Sequence, residues 1–206
     1  MERMAQSIVV PVVVLESEKK AVPTAKALAA GGVDTMEITF RTACAAESIR
    51  AVSEQCPEVL VGAGTVLNVE QAKLAVDMGA KFIVSPGFSE KVVGWCVENH
   101  VPVVPGCVTP TEIMASMEYG LRLVKFFPAN VYGGLNALKN LAAPFANIKF
   151  LPTGGVNSTN IREYIDAPFV HAVGGSWVCP KAEIAAENFG EITKLCKAAR
   201  KAALGR

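Results

Sequence analysis

The chain has 206 residues, 51% of them hydrophobic and 19% charged, with a formal net charge of +1. That length supports one sizeable core and a single domain spanning 1–206. A balanced charge with no long basic block gives no support to nucleic-acid binding, and no apolar run is long enough to span a membrane.

Residues 1–7 hold one Arg and no apolar run, and the apolar segment that follows is short, with no small-residue cleavage site after it. A soluble cytoplasmic protein is expected. Short apolar runs rich in Val, Ile and Phe then alternate with longer amphipathic runs, as buried strands alternate with helices. The first strand is expected at 8–15 (IVVPVVVL). A helix at 18–31 follows, with Ala21, Ala25, Leu28 and Ala29 on one stripe and Gly31-Gly32 as its stop. Strands are expected at 34–40 (DTMEITF) and 59–66 (VLVGAGTV). A helix at 68–79 starts at Asn68, a good N-cap, and ends at Gly79. Strand 81–86 (KFIVSP) precedes a helix at 89–99 that starts at Ser89, and strand 101–106 (VPVVPG) comes next. The helix at 109–120 starts at Thr109 with Pro110 at its first position and Glu112 three residues on, the pattern of a capping box. Strands at 122–128 (RLVKFFP) and 148–153 (IKFLPT), a helix at 157–165 starting at Asn157 and Ser158, and a strand at 170–176 (VHAVGGS) complete the rhythm. A last helix, about 187–203, closes the chain, and its Lys194, Lys197, Arg200 and Lys201, with Arg206 beyond, are expected on a solvated face.

Alternation of eight strands with eight helices argues an α/β fold with a parallel sheet, and eight repeats argue a compact single-domain (β/α)8 TIM barrel. A doubly wound open sheet is the alternative, although it normally needs fewer strands. The six cysteines (Cys44, Cys56, Cys96, Cys107, Cys179 and Cys196) contain no CxxC pair, so free thiols in a reducing compartment are expected. His100 and His171 lie far apart with no carboxylate at ligand spacing, which predicts structural roles and no protein-built zinc site.

In such a barrel the active site lies at the carboxyl ends of the strands. Glu37, Thr39 and Arg41 share one face of the second strand, opposite Met36, Ile38 and Phe40. Three polar residues on one face should point into the barrel. Lys125 stands within an otherwise apolar strand, on the face of Leu123 and Phe127. A structural salt bridge, with Glu37 as the candidate partner, is one account of it. The other is an amine nucleophile, because desolvation favours the neutral amine that attacks a carbonyl. The seventh strand ends in Thr153-Gly154-Gly155 and the eighth in Gly174-Gly175-Ser176. Loops after these two strands are the recurring phosphate site of such barrels, and paired glycines let backbone N–H groups approach an anion.

Six motifs in this order carry a resemblance over nearly the whole chain: Glu37-Ile-Thr-Phe-Arg41-Thr42, Gly62-Ala-Gly-Thr65-Val, Ser85-Pro-Gly87, Lys125-Phe-Phe-Pro-Ala129, Pro152-Thr-Gly-Gly155 and Gly174-Gly-Ser-Trp177. The chain resembles the 2-keto-3-deoxy-6-phosphogluconate (KDPG) aldolases, which include bifunctional members that also cleave 4-hydroxy-2-oxoglutarate (KHG). The resemblance implies a lyase, a class I aldolase on a (β/α)8 barrel, commonly a homotrimer, without metal or other cofactor, serving carbohydrate metabolism through the Entner–Doudoroff pathway. It implies Lys125 as the Schiff-base lysine and Glu37 as the general acid/base. It implies Arg41 and Thr65 at the carboxylate and pyruvate half of the substrate, and Pro86 and Phe127 as pocket lining. Gly154, Gly155 and Ser176 are implied as phosphate binders, with Thr153, Gly174 and Gly175 in the same loops. The implied partner is thus a phosphorylated 2-keto acid. Asn130, where many relatives carry Glu, and Tyr132 beyond it are departures that bear on the rim of the site. Two rival functions share the phosphate loops: a sugar-phosphate isomerase or epimerase, and a non-catalytic sugar-phosphate binder.

Overall fold

The computed structural model describes residues 2–205. Met1 and Arg206, the latter expected on the last helix's basic face, lie outside them. Eight parallel strands form the sheet: β1 (Val9–Val13), β2 (Thr35–Thr39), β3 (Leu60–Gly64), β4 (Ile83–Val84), β5 (Val103–Val104), β6 (Leu123–Phe126), β7 (Lys149–Pro152) and β8 (Val173–Gly175). Each falls inside its expected apolar run. The ladder runs β5-β4-β3-β2-β1-β8, with β6 and β7 paired separately. Single bridges close the ring, Gly106 to Lys125 on one side and Phe150 to Val170 and Thr153 to Gly174 on the other. Pro105 lacks an N–H, which helps explain why the β5–β6 seam is a bridge and not a ladder. Lys125 N–H donates to the Pro105 carbonyl at 2.8 Å across this seam.

Ten α-helices occur among the described residues: α1 (Glu2–Ser7), α2 (Ala21–Ala30), α3 (Ala45–Gln55), α4 (Val69–Asp77), α5 (Glu90–Glu98), α6 (Pro110–Glu118), α7 (Gly134–Ala142), α8 (Ile161–Ile165), α9 (Lys181–Ala185) and α10 (Phe189–Leu204). This corrects the expected eight. The extra two are the short α1, before the first strand, and α9, between β8 and the last helix. The capping signals hold where they were strongest. Asn68 and Ser89 accept from the N–H groups of Gln71 and Val92, and Thr109 with Glu112 forms a full capping box. The helix expected from Asn157 instead begins at Ile161. The Asn157 carboxamide oxygen accepts from both the N–H and the hydroxyl of Thr159, and such local side-chain bonds favour a turn over a helix. Arg200 is not merely solvated: its guanidinium reaches the carbonyls of Gln6 and Ser7, tying α10 to α1.

The two faces of each strand divide as alternation requires. Val9, Val13, Met36, Ile38, Val61, Ala63, Ile83 and Val103 face outward into the layer beneath the helices. Val10, Phe82, Val84, Val104, Leu123 and Leu151 face inward and pack with Met4 of α1 in the lower half of the barrel. Above this apolar plug lie the inward polar residues Glu37, Thr39, Lys125 and Thr153, all buried, while Thr35 lies level with Val10 and donates its hydroxyl to the Val9 carbonyl. Glycine at the inward positions of β3 makes room for Phe82 in the plug and for Glu37 above it. A Cβ at Gly62 would stand 2.5 Å from the Phe82 ring, and one at Gly64 would stand 2.0 Å from Glu37 Oε1.

Candidate active site

Lys125 Nζ donates to Glu37 Oε1 at 3.3 Å, with side chains 6% and 1% exposed. Glu37 Oε2 is buried and has no partner among the described residues. The ammonium also lies 5.3 Å from the centroid of the Phe127 ring. A buried ion pair of this kind is weak support for the fold, since an apolar pair of equal volume often serves as well, whereas loss of one partner is costly. The free carboxylate oxygen is harder to explain by stability, and it leaves one acceptor ready for a proton.

A cavity of about 200 Å³ opens above the pair, lined by Val12, Val14, Arg41, Lys125, Phe127, Thr153, Gly175 and Ser176. Five strands and their loops thus contribute to one pocket at the carboxyl end of the barrel. Val12 and Val14 were not anticipated: β1 is apolar throughout, so composition does not show which of its faces looks inward. Their spacing of two, in phase with the inward Val10, was the available signal. Arg41 stands two residues past the end of β2, so the strand alternation stops at Thr39 and Arg41 enters from the loop. Its Nε donates to the Thr65 hydroxyl at 3.1 Å. Thr65 has φ +56°, a left-handed conformation that is unfavourable for a β-branched residue and typical of sites where geometry is imposed. Its hydroxyl brings Thr65 into the cluster through Arg41.

Gly154 and Gly155 follow Thr153 with φ +95° and +79°. Gly174 lies under Thr153, where a Cβ would meet the threonine hydroxyl at 2.1 Å, and a Cβ at Gly175 would meet the Trp177 ring at 1.9 Å. Asn130 packs against Gly155, and Tyr132 tilts over Phe126 with ring centroids 6.4 Å apart. Pro86 is not among the residues lining the cavity, and neither are Thr65, Gly154, Gly155 and Gly174. The Pro86 carbonyl packs against Gly106, next to the β5–β6 seam. In a separate pocket that shares Val14, Lys181 pairs with Glu16 at 2.7 Å and holds that carboxyl below the usual carboxylate range.

A larger cavity, about 440 Å³, opens at the opposite mouth among the starts of β5, β6 and β7. It lacks a buried carboxylate–amine pair, so the smaller cavity is the candidate active site. Among the described residues no cluster of three or more His, Cys, Asp or Glu side chains could hold a metal, and no helix is long and apolar enough to cross a membrane.

Comparison with known proteins shows what the chain is similar to. The family model for KDPG and KHG aldolase matches residues 1–195. The 2-dehydro-3-deoxy-phosphogluconate aldolase of Treponema pallidum is 48% identical over 194 residues, 94% of this chain and 92% of that protein. The KHG/KDPG aldolase of Escherichia coli K12 is 45% identical over 191 residues, 93% and 90% of the two chains. The KDPG aldolase of Legionella pneumophila, solved with pyruvate captured at low pH as a covalent carbinolamine intermediate, superposes with a TM-score of 0.92 at 38% identity, covering 96% of each chain. This chain's eight parallel strands close into a ring, a (β/α)8 barrel. The chain belongs to the KDPG and KHG aldolase family.

Proposed function

We propose that the chain is a class I aldolase that cleaves 2-dehydro-3-deoxy-6-phosphogluconate to pyruvate and glyceraldehyde 3-phosphate through a Schiff base on Lys125. The observation that carries this is the buried Lys125–Glu37 pair at the floor of a polar-rimmed cavity, in a chain whose relatives bear that name. The neutral amine attacks the C2 ketone, and loss of water gives an iminium ion. The C3–C4 bond breaks as its electrons flow into the iminium, while a base takes the C4 hydroxyl proton. Glyceraldehyde 3-phosphate leaves, and the enamine of pyruvate stays on the lysine. Glu37 is suited to both proton steps: one oxygen holds the amine and the other is free to accept the hydroxyl proton and return it to C3. Hydrolysis releases pyruvate and regenerates the amine. The iminium is the electron sink, so the scheme asks for no metal.

Arg41 is assigned to the substrate carboxylate, where its planar fork can bind both oxygens, with Thr65 orienting it. Phe127, Val12 and Val14 supply the apolar wall beside the reacting carbons. Thr153, Gly154, Gly155, Gly174, Gly175 and Ser176 are assigned to the phosphate end. Pro86 is left as a support of the seam. The dual name of the Escherichia coli relative favours a second activity, cleavage of 4-hydroxy-2-oxoglutarate to pyruvate and glyoxylate. The isomerase reading is not favoured, because the cavity offers one carboxylate opposed to an amine and no second acid/base pair. A homotrimer, a cytoplasmic location and a role in the Entner–Doudoroff pathway complete the proposal. Exposed Leu67 and Val131 offer apolar surface for subunit contact, and six free cysteines suit a reducing compartment.

The test is turnover. Pyruvate release from the phosphogluconate and hydroxyglutarate substrates is followed with a coupled dehydrogenase. Release from the phosphorylated substrate is expected, and no release from either would overturn the assignment.

A further inference from the structure

In a trans peptide unit the carbonyl of one residue and the N–H of the next point in opposite directions. The loop after β7 uses this twice. The Gly154 carbonyl accepts from the Asn130 N–H at 3.2 Å, which turns the Gly155 N–H of the same unit away from Asn130. The Gly155 carbonyl accepts from Asn160 Nδ2 at 2.9 Å and from Asn157 Nδ2 at 3.4 Å, which turns the Val156 N–H away from both side chains. Neither the Gly155 nor the Val156 N–H donates to a group among the described residues. Asn160 Oδ1 also accepts from the Asn157 N–H at 2.8 Å, so one side chain braces the 155–160 loop at two points.

We propose that Asn160 is a positioning residue for the anionic end of the substrate: it holds the Gly155 carbonyl outward, leaving the consecutive N–H groups of Gly155 and Val156 as an anion-binding concavity beside the cavity lined by Thr153 and Ser176. Successive backbone N–H groups left free in this way form the nests that bind phosphate in other folds. The brace matters because Gly155, at φ +79°, has little steric preference of its own. Without the brace the Gly155–Val156 unit can rotate and offer a carbonyl oxygen to the anion. Asn160 touches no reacting atom in this role. The proposal rests on the phosphorylated-substrate reading above.

The experiment compares wild type, Asn160→Ala and Asn160→Asp on the phosphogluconate and hydroxyglutarate substrates, with inorganic phosphate as an inhibitor. Asn160→Asp keeps size and the acceptor for Asn157, so it guards against simple misfolding. The ratio of kcat/KM for the phosphorylated substrate to that for the unphosphorylated one should fall about tenfold in both variants, or about 1.4 kcal/mol, mostly through KM. The phosphate inhibition constant should rise by the same factor. It carries the comparison if wild type turns over only the phosphorylated substrate. An equal loss on both substrates, or an unchanged ratio and inhibition constant, would overturn the positioning role. A wild type that shows neither preference for the phosphorylated substrate nor inhibition by phosphate would overturn the underlying reading as well, before any variant is made.

Discussion

Replacing Gly64 with alanine should disable the site without altering any reactive group. The added methyl would stand 2.0 Å from Glu37 Oε1 and 2.6 Å from its Cγ and Cδ. Carbon and oxygen atoms pack comfortably only beyond about 3.4 Å, so the carboxylate must move by about 1 Å or more. Glu37 is fully buried, which leaves it little room, and overpacking of this kind costs about 1–3 kcal/mol. The same movement stretches the 3.3 Å contact with Lys125. A displacement of about 1 Å in a reacting group can cost about 100-fold in rate. Three readouts separate the effects: urea unfolding, borohydride trapping of pyruvate, and exchange of pyruvate methyl protons in heavy water followed by NMR. Gly64→Ala should stay folded with reduced stability, still trap pyruvate, and lose about 100-fold in turnover and proton exchange. Wild-type turnover and exchange in a folded Gly64→Ala protein would refute the argument that β3 carries glycine there to admit Glu37.

Thr65→Gly should raise stability by about 1 kcal/mol, because it relieves a left-handed β-branched residue, while turnover falls as Arg41 loses its hydroxyl partner; paired melting and kinetic measurements test this, and a variant that is less stable or fully active contradicts it. Thr109→Ala removes the N-cap of α6 and should cost about 1 kcal/mol in denaturant unfolding with activity retained. Burial pushes the thiols of Cys96, Cys107 and Cys196 up from 9.0 to about 12, and that of Cys179 up as well. For such groups the folded state holds the proton more tightly than the unfolded state. Their contribution to stability is therefore intact below about pH 9 and is lost as pH rises from there through about 12. Unfolding free energy should decline over that window, and serine at Cys96 and Cys196 should flatten the decline. At pH 8 a thiol reagent should modify half-buried Cys44 in the native protein and spare those four.

Much of the barrel was legible because its strands are short, apolar and regularly spaced, and all eight lie within the expected runs. The inward face of β2 was legible because Glu37 and Thr39 break an apolar pattern. Lys125 was visible for the same reason, although the sequence left salt bridge and nucleophile open. The structure makes them compatible, since the pair exists and still leaves Glu37 Oε2 free. Val12 and Val14 were hidden, because β1, valine apart from Pro11, has no polar contrast between its faces. The start of α8 was misjudged because Asn157 suits both a helix cap and a turn, and Thr159 with Asn160 decides for the turn. Helices α3 and α7 carried no cap strong enough to read, and neither has a side-chain cap hydrogen bond in the structure.

The proposed chemistry turns on a covalent bond to Lys125. Incubation with pyruvate and borohydride, digestion and peptide mass analysis test it in one step. A single reduced pyruvate adduct is expected on the peptide containing Lys125, and none in Lys125→Met. An adduct on another lysine, or none in active wild-type enzyme, would contradict it.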